Sequence, residues 1–241
     1  MATSLADFAE QTNPKTLAEV RRASFRQATR VHGSFLAAVE KRTLVWMAER
    51  MPDWISSDHL TILGFAAQIA TGVCYVLASW DRRMLLAAIV CLAVNWFGDS
   101  LDGTLARVRQ KERPRYGFYV DHIIDSIGAV AMMGGLALSG YIHPLLAIGL
   151  LIGFLLLSIQ SYLATYTLGE FHLSFWRFGP TELRVLLAIG NLALFRWAWV
   201  LHGHYRLFDI GGVIGLAGMI LMLIVVTLKN TVRLYREERI A

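Results

Sequence analysis

The chain has 241 residues, 56% of them hydrophobic and only 17% charged, with a net charge of +5, against about 25% charged residues in an ordinary soluble domain. That balance excludes a conventional soluble domain, which buries one or two apolar runs but not most of its length, and points to a polytopic membrane protein. The two cysteines, Cys74 and Cys91, lie in apolar runs and offer neither a disulfide framework nor a metal-ligand spacing.

The start, MATSLADFAEQTNPK, has no basic stretch followed by an apolar core, so no signal peptide is expected there. SFLAAVEKRTLVWMAERM (residues 34–51) then repeats apolar residues at helical spacing. Phe35, Val39, Val45, Ala48 and Met51 are expected to face lipid, with Glu40, Lys41, Arg42, Glu49 and Arg50 elsewhere. That is the pattern of an amphipathic helix in the membrane interface, closed by Pro52 and followed by Trp54. A small helical hairpin packed on the loops is the plainer alternative.

A membrane helix needs about 20 mostly apolar residues. Residues 60–80 carry no charge and form the first span. The second begins at residue 84 and runs into Asp99 and Asp102. Residues 126–169 contain no Asp, Glu, Lys or Arg, which is too long for one helix and suits two, broken at SGYIHP. Residues 185–200 read as a weaker fifth span with Arg196 and Trp197 near its end, where long side chains snorkel. Residues 210–228 form the last. Six spans place both termini on one side. That side then carries nineteen of the Lys and Arg residues, and the other only four: Arg82, Arg83, Arg196 and Arg206. The bias assigns both termini and the aspartate-rich segment to the cytoplasm.

That segment reads GDSLDGTLARVRQKERPRYGFYVDHIIDS. Asp99 and Asp102 are three apart and share a helix face, which Gly103 and Ala106 continue. Gly117, Asp121 and Asp125 recur every four and share another. A short basic connection lets the second and third helices face each other with two carboxylates apiece. Four carboxylates so close repel, and at the edge of a membrane they must protonate or be held by cations. Mg²⁺ takes one or two carboxylates plus phosphate oxygens, and two ions about 3.5–4 Å apart clamp both the attacking and the leaving oxygen of a phosphoryl transfer. Gly103, Ala106 and Gly117 leave room for a substrate near backbone, and Arg107 with its basic neighbours attracts a polyphosphate. A proton relay, or solvated helix ends, is the plainer reading.

The pattern D-x-x-D-G-x-x-A-R, nine residues, then G-x-x-x-D-x-x-x-D resembles the CDP-alcohol phosphotransferase signature, with Asp99, Asp102, Gly103, Ala106, Arg107, Gly117, Asp121 and Asp125 at its fixed positions. The resemblance implies a CDP-linked alcohol bound from the cytoplasm and two metals, Mg²⁺ or Mn²⁺, held by the four aspartates. It implies a nucleotide pocket shaped by Gly103, Ala106, Arg107 and Gly117. An acceptor hydroxyl would attack the β-phosphorus, CMP would leave, and Asp125 would be the general base. It also implies a homodimer among membrane lipids, with a lipid or a polar alcohol as acceptor. No nucleic-acid partner is expected.

His122, in VDHIIDS, looks more like the choline and ethanolamine phosphotransferase branch, and an imidazole there is an alternative base. Thr61 remains where many members carry a Thr near the first span, and is a candidate nucleotide contact, although Ser57 and Asp58 replace the usual Pro-Asn pair. Glu182 and Arg184, in GPTELR, are candidates for the acceptor's polar head, with His172 and Arg177 as weaker ones; an ordinary helix start is the plainer reading.

The expected architecture is an all-α integral membrane protein of six transmembrane helices preceded by the interfacial helix. Residues 1–58 would be the cytoplasmic N-terminal segment, 59–229 the six-span catalytic domain and 230–241 a cytoplasmic tail. Two other functions compete. An intramembrane prenyltransferase also uses Asp-rich metal sites, but generally on well-separated helices. An ion-coupled transporter would use the aspartates as ion sites, but leaves D-G-x-x-A-R without a purpose.

Overall fold

The structure, a computed structural model, describes residues 29–31, 37–172, 179–197, 199–200 and 205–238. Helices carry the fold among these residues: α1 (Ala37–Glu49), α2 (Ser57–Leu77), α3 (Met84–Val108), α4 (Pro114–Leu138), α5 (Pro144–Leu168), α6 (Pro180–Arg196) and α7 (Leu207–Glu237). Two short ladders join β1 (Thr29–Val31) in parallel to β2 (Glu170–His172), and β3 (Trp199–Val200) in antiparallel to β4 (Tyr205–Arg206).

Local chemistry sets the helix starts. Ser56 caps α2: its hydroxyl accepts the His59 N–H at 3.3 Å, and His59 Nδ1 accepts the Ser56 N–H at 3.2 Å. This is a capping box with histidine in the place of Glu or Gln. Helices α4, α5 and α6 each open on a proline, where the missing N–H would have had no helical partner anyway.

Five helices, α2, α3, α4, α5 and α7, are long and apolar enough to cross a membrane. The expected fifth span is shorter. Helix α6 has 17 residues, about 26 Å at 1.5 Å per residue, against a hydrocarbon core of about 30 Å. It stops at Arg196, whose guanidinium lies 5.6 Å from the Trp197 ring centroid, a cation–π pair of the kind that suits a membrane interface. The chain is thus a multi-pass integral membrane protein, and among the described residues length and composition support five spans.

Helix α2 is the hub. It packs on α3 and on α4, α6 packs on α3, and α5 lies against α4 and α7. Small residues permit these approaches, as expected where no hydrophobic effect drives helix association. A Cβ on Gly98 of α3 would stand 2.6 Å from the Gly64 nitrogen and the Leu60 carbonyl of α2. One turn-pair further along, Gly72 of α2 meets the Ala131 backbone of α4, and Gly135 meets the Gly72 carbonyl. Helix α7 leaves most of its apolar surface uncovered, which in a bilayer is surface for lipid.

Helix α1 lies against α3 rather than apart from the bundle. Leu44 and Ala48 are buried with Leu60, Leu101 and Leu105, and Met47 and Met51 pack beside them. Ala48 and Met51, expected toward lipid, therefore face the protein. The i, i+4 pair Leu44 and Ala48 makes a narrow apolar stripe that α3 covers, while Val39 and Trp46 stay exposed and Val45 is half-buried. Phe35 lies outside the described residues. Arg109, at the end of α3, fixes the turn that follows α1: its guanidinium donates to the carbonyls of Ile55 (2.5 Å), Met51 (2.8 Å) and Pro52 (2.9 Å).

Candidate active site

Asp99 and Asp102 sit inside α3, and Asp121 and Asp125 inside α4, so the acidic segment is two helix faces joined by a tight turn over residues 109–113. Helices α3 and α4 both pack on α2. Helix α2 thus brings the two carboxylate stripes to one region. They remain within electrostatic reach: Asp99 interacts with Asp121, and Asp125 with Asp99, Asp121 and Asp102.

Each carboxylate of α3 is oriented by a neighbouring helix. Asp102 Oδ2 accepts the Thr61 hydroxyl of α2 at 2.6 Å, and its Oδ1 accepts the Gly103 N–H at 2.5 Å. Ser57 adds a hydrogen bond to the Asp102 carbonyl at 2.9 Å. Asp99 Oδ2 accepts from the Arg184 guanidinium of α6 at 2.5 Å. Arg184 Nε is in turn fixed by Asn95 Oδ1 at 2.7 Å, and Asn95 Nδ2 by the Gly64 carbonyl at 2.9 Å. The chain from Gly64 through Asn95 and Arg184 to Asp99 thus links α2, α3 and α6. Charge-assisted bonds of this kind are roughly twice as strong as neutral ones.

On α4, donor atoms of Asp121, His122 and Asp125 all lie within 4.8 Å of one another. The His122 Nδ1 is 3.4 Å from Asp121 Oδ2. Aromatic neighbours set its ring plane: Phe118 meets it edge-on at 4.1 Å between centroids, and Tyr162 of α5 stacks on it at 4.9 Å. This donor set suits a divalent cation, since oxygen ligands with one imidazole serve Mg²⁺ poorly at the nitrogen but Mn²⁺ well. Asp99 and Asp102 keep acceptor capacity beyond the bonds described, because each carboxylate oxygen has two lone pairs.

The small residues face space. Among the described residues, and apart from the helix's own nearby backbone, nothing lies within 4 Å of a Cβ on Gly117, and on Gly103 only the Arg107 guanidinium does, at 3.6 Å. Arg107 is exposed, folds back one turn and donates to the Thr104 hydroxyl at 3.0 Å. Ala106 is half-buried beside it.

A comparison with protein families matches residues 54–229 to the family described as CDP-alcohol phosphatidyltransferase. The chain belongs to the CDP-alcohol phosphatidyltransferase family. Among characterised proteins it is similar to the archaetidylinositol phosphate synthase of Pyrococcus horikoshii, with 35% identity over 92 residues, which is 37% of this chain and 44% of the relative. The chain thus spans less than half the length of that relative. The region matched to the CDP-alcohol phosphatidyltransferase family begins after α1, so the signature on α3 and α4 lies inside it and α1 lies outside.

Within this CDP-alcohol phosphatidyltransferase chain, the sequence-derived candidates divide. Asp99, Asp102, Asp121, Asp125, His122, Thr61 and Arg184 converge on one region. Thr61 meets a carboxylate rather than standing free for a nucleotide. Glu182 is almost buried, and its Oε2 accepts the Gly179 N–H at 2.9 Å, which makes it a cap for its own helix. Arg177 lies outside the described residues. Sequence reasoning missed Asn95 and Tyr162. A buried Asn four residues before Asp99, on the same helical face, was the available signal for the first. Nothing in the local pattern pointed to Tyr162, which reaches the site from another helix.

Proposed function

We propose that this chain transfers a phosphoalcohol group from a CDP-alcohol to an acceptor hydroxyl and releases CMP, as a step of phospholipid synthesis. The observation that carries the reading is the pair of aspartate stripes on α3 and α4, with Asp121, His122 and Asp125 convergent and Asp99 and Asp102 held in place from α6 and α2.

Asp99, Asp102, Asp121 and Asp125 are the residues that would hold two divalent ions, Mg²⁺ or Mn²⁺. Bound there, such ions supply charge neutralisation of the pyrophosphate and polarisation of its phosphorus–oxygen bonds. The rest falls to the chain. Gly103, Ala106 and Gly117 leave backbone accessible to the cytidine diphosphate, and Arg107 contributes a cation at the mouth. Thr61 and Arg184 keep Asp102 and Asp99 from turning away. The acceptor oxygen forms a bond to the β-phosphorus and its proton passes to Asp125. The bond from that phosphorus to the bridging oxygen breaks, and the electron pair leaves with CMP. His122 beside Asp121 steadies that carboxylate and is the alternative base.

For the substrates, we place the lipid on the donor, as a CDP-diacylglycerol type, and a polar or phosphorylated alcohol as acceptor. Support comes from the relative named for archaetidylinositol phosphate synthesis. The opposite arrangement, a CDP-aminoalcohol donor with a lipid hydroxyl as acceptor, is favoured by His122 in D-H-x-x-D-S. In the reading adopted here α6 completes six spans, both termini and the site face the cytoplasm, residues 59–229 form the catalytic unit, and two copies associate in the bilayer.

The test of substrate polarity is a labelled-lipid assay in vesicles with Mg²⁺. CDP-diacylglycerol with inositol phosphate, glycerol phosphate or serine is expected to give a labelled phospholipid. Labelled product only from CDP-choline or CDP-ethanolamine with diacylglycerol would reverse the assignment of donor and acceptor.

A further inference from the structure

Glu40 of α1 is half-buried, and one of its oxygens collects three donors from two other helices. Its Oε1 accepts the Trp96 indole N–H at 2.8 Å, the Thr181 hydroxyl at 2.7 Å and the Ser100 hydroxyl at 3.3 Å. Trp96 and Ser100 flank the Asn95 and Asp99 positions on α3. Thr181 stands in the first turn of α6, three residues before Arg184, and so lies close to Arg184 on the helix surface. One carboxylate thus ties α1 to the start of α6 at the level where Arg184 meets Asp99. Carboxylates are acceptor-only and suit a point where several donors converge, whereas an apolar side chain would leave the indole and both hydroxyls without this acceptor.

From this we infer that Glu40 is a positioning residue for the reaction: through Thr181 it sets the register of α6 on α3 and thereby holds Arg184 on Asp99. It acts from outside the segment that matches the family. The turn that follows α1 is anchored by Arg109 on the Met51, Pro52 and Ile55 carbonyls, so the segment is held both at Glu40 and beyond the end of α1. The inference rests on the phosphoalcohol transfer proposed above, and its test includes a readout that does not.

The indole ¹⁵N–¹H resonance of Trp96, identified by its loss in Trp96→Phe, reports the clasp directly in the detergent-solubilised protein. Glu40→Ala is expected to move that resonance upfield. In turnover, Glu40→Ala is expected to lower kcat about tenfold or more, the scale of a misplaced positioning group, with the KM for the CDP-alcohol changed less than threefold. Glu40→Gln, which keeps an acceptor oxygen, is expected to recover most of that loss. Thr181→Val is expected to reproduce the kcat loss, and the Glu40→Ala, Thr181→Val double variant to be no worse than either single one. An unmoved indole resonance in Glu40→Ala overturns the clasp whatever the turnover. A moved resonance with unchanged kcat, or losses that multiply in the double variant, overturns the positioning role. Absence of CMP release from the wild-type protein would instead refute the reaction, and the resonance would still judge the clasp.

Discussion

Asp121 and Asp125 stand on one α4 stripe with His122 between them in sequence, and the donor atoms of all three converge. A carboxylate that holds a cation in a transfer reaction is not replaced by an amide of the same shape. Asp121→Asn and Asp125→Asn are each expected to lower turnover by on the order of 100-fold or more, the scale of removing one charge-stabilising group from a site. Mn²⁺ affinity measured by calorimetry should fall with them, while helical circular dichroism stays unchanged. Wild-type Mn²⁺ binding in either variant would break the assignment. His122 is held between Phe118 and Tyr162, so its removal disturbs Asp121 without removing the base. His122→Ala is expected to cost about tenfold in kcat, whereas a loss near the top of the general-base range of about 10²–10⁴ would transfer the base role to it.

Between elements, the site depends on how closely α2 approaches its neighbours, because α2 packs on both α3 and α4. Gly72 and Gly135 form the α2–α4 crossing: a Cβ on Gly72 would run into the Ala131 backbone, and one on Gly135 into the Gly72 carbonyl. Gly72→Ala and Gly135→Ala are expected to destabilise by about 1–3 kcal/mol, the range for overpacking, read as a lower Tm in detergent. Gly134→Ala, on the same helix with nothing among the described residues within 4 Å of the new carbon, is expected to leave Tm unchanged or raised. Equal losses at Gly134 and Gly135 would remove the close-approach argument. At this scale the sequence was partly legible. Spacing placed Asp99 with Asp102 and Asp121 with Asp125, because helical periodicity is local. It suggested that the two helices face each other, but not that α2 carries them both. That arrangement, like the burial of Ala48 against α3, comes from contacts between helices distant in sequence, on which periodicity is silent.

For the whole molecule, the charge-free run over residues 126–169 correctly forecast α4 and α5 with a break at residues 139–143, since long apolar stretches have few alternatives in a bilayer. The fifth span was harder to read, because α6 is short and spends its first turn on capping and on the acidic site. With α6 across the bilayer, the turn between α3 and α4 and the C-terminal end of α7 share a side. Single cysteines at Glu112 and Glu238, in a background without Cys74 and Cys91, are expected to label with a membrane-impermeant maleimide only after cells are opened. Labelling of one from outside intact cells would exclude the six-span topology.

The most direct test of the account is CMP release. Purified protein in lipid with Mg²⁺, offered CDP-diacylglycerol and a polar alcohol, or CDP-choline or CDP-ethanolamine and diacylglycerol, is expected to release CMP from at least one pair. The release should require both substrates and the divalent ion, and Asp125→Asn should abolish it. No CMP from any pair, with no binding of the CDP-alcohols, would contradict the assignment of the two aspartate stripes as a phosphoalcohol-transfer site.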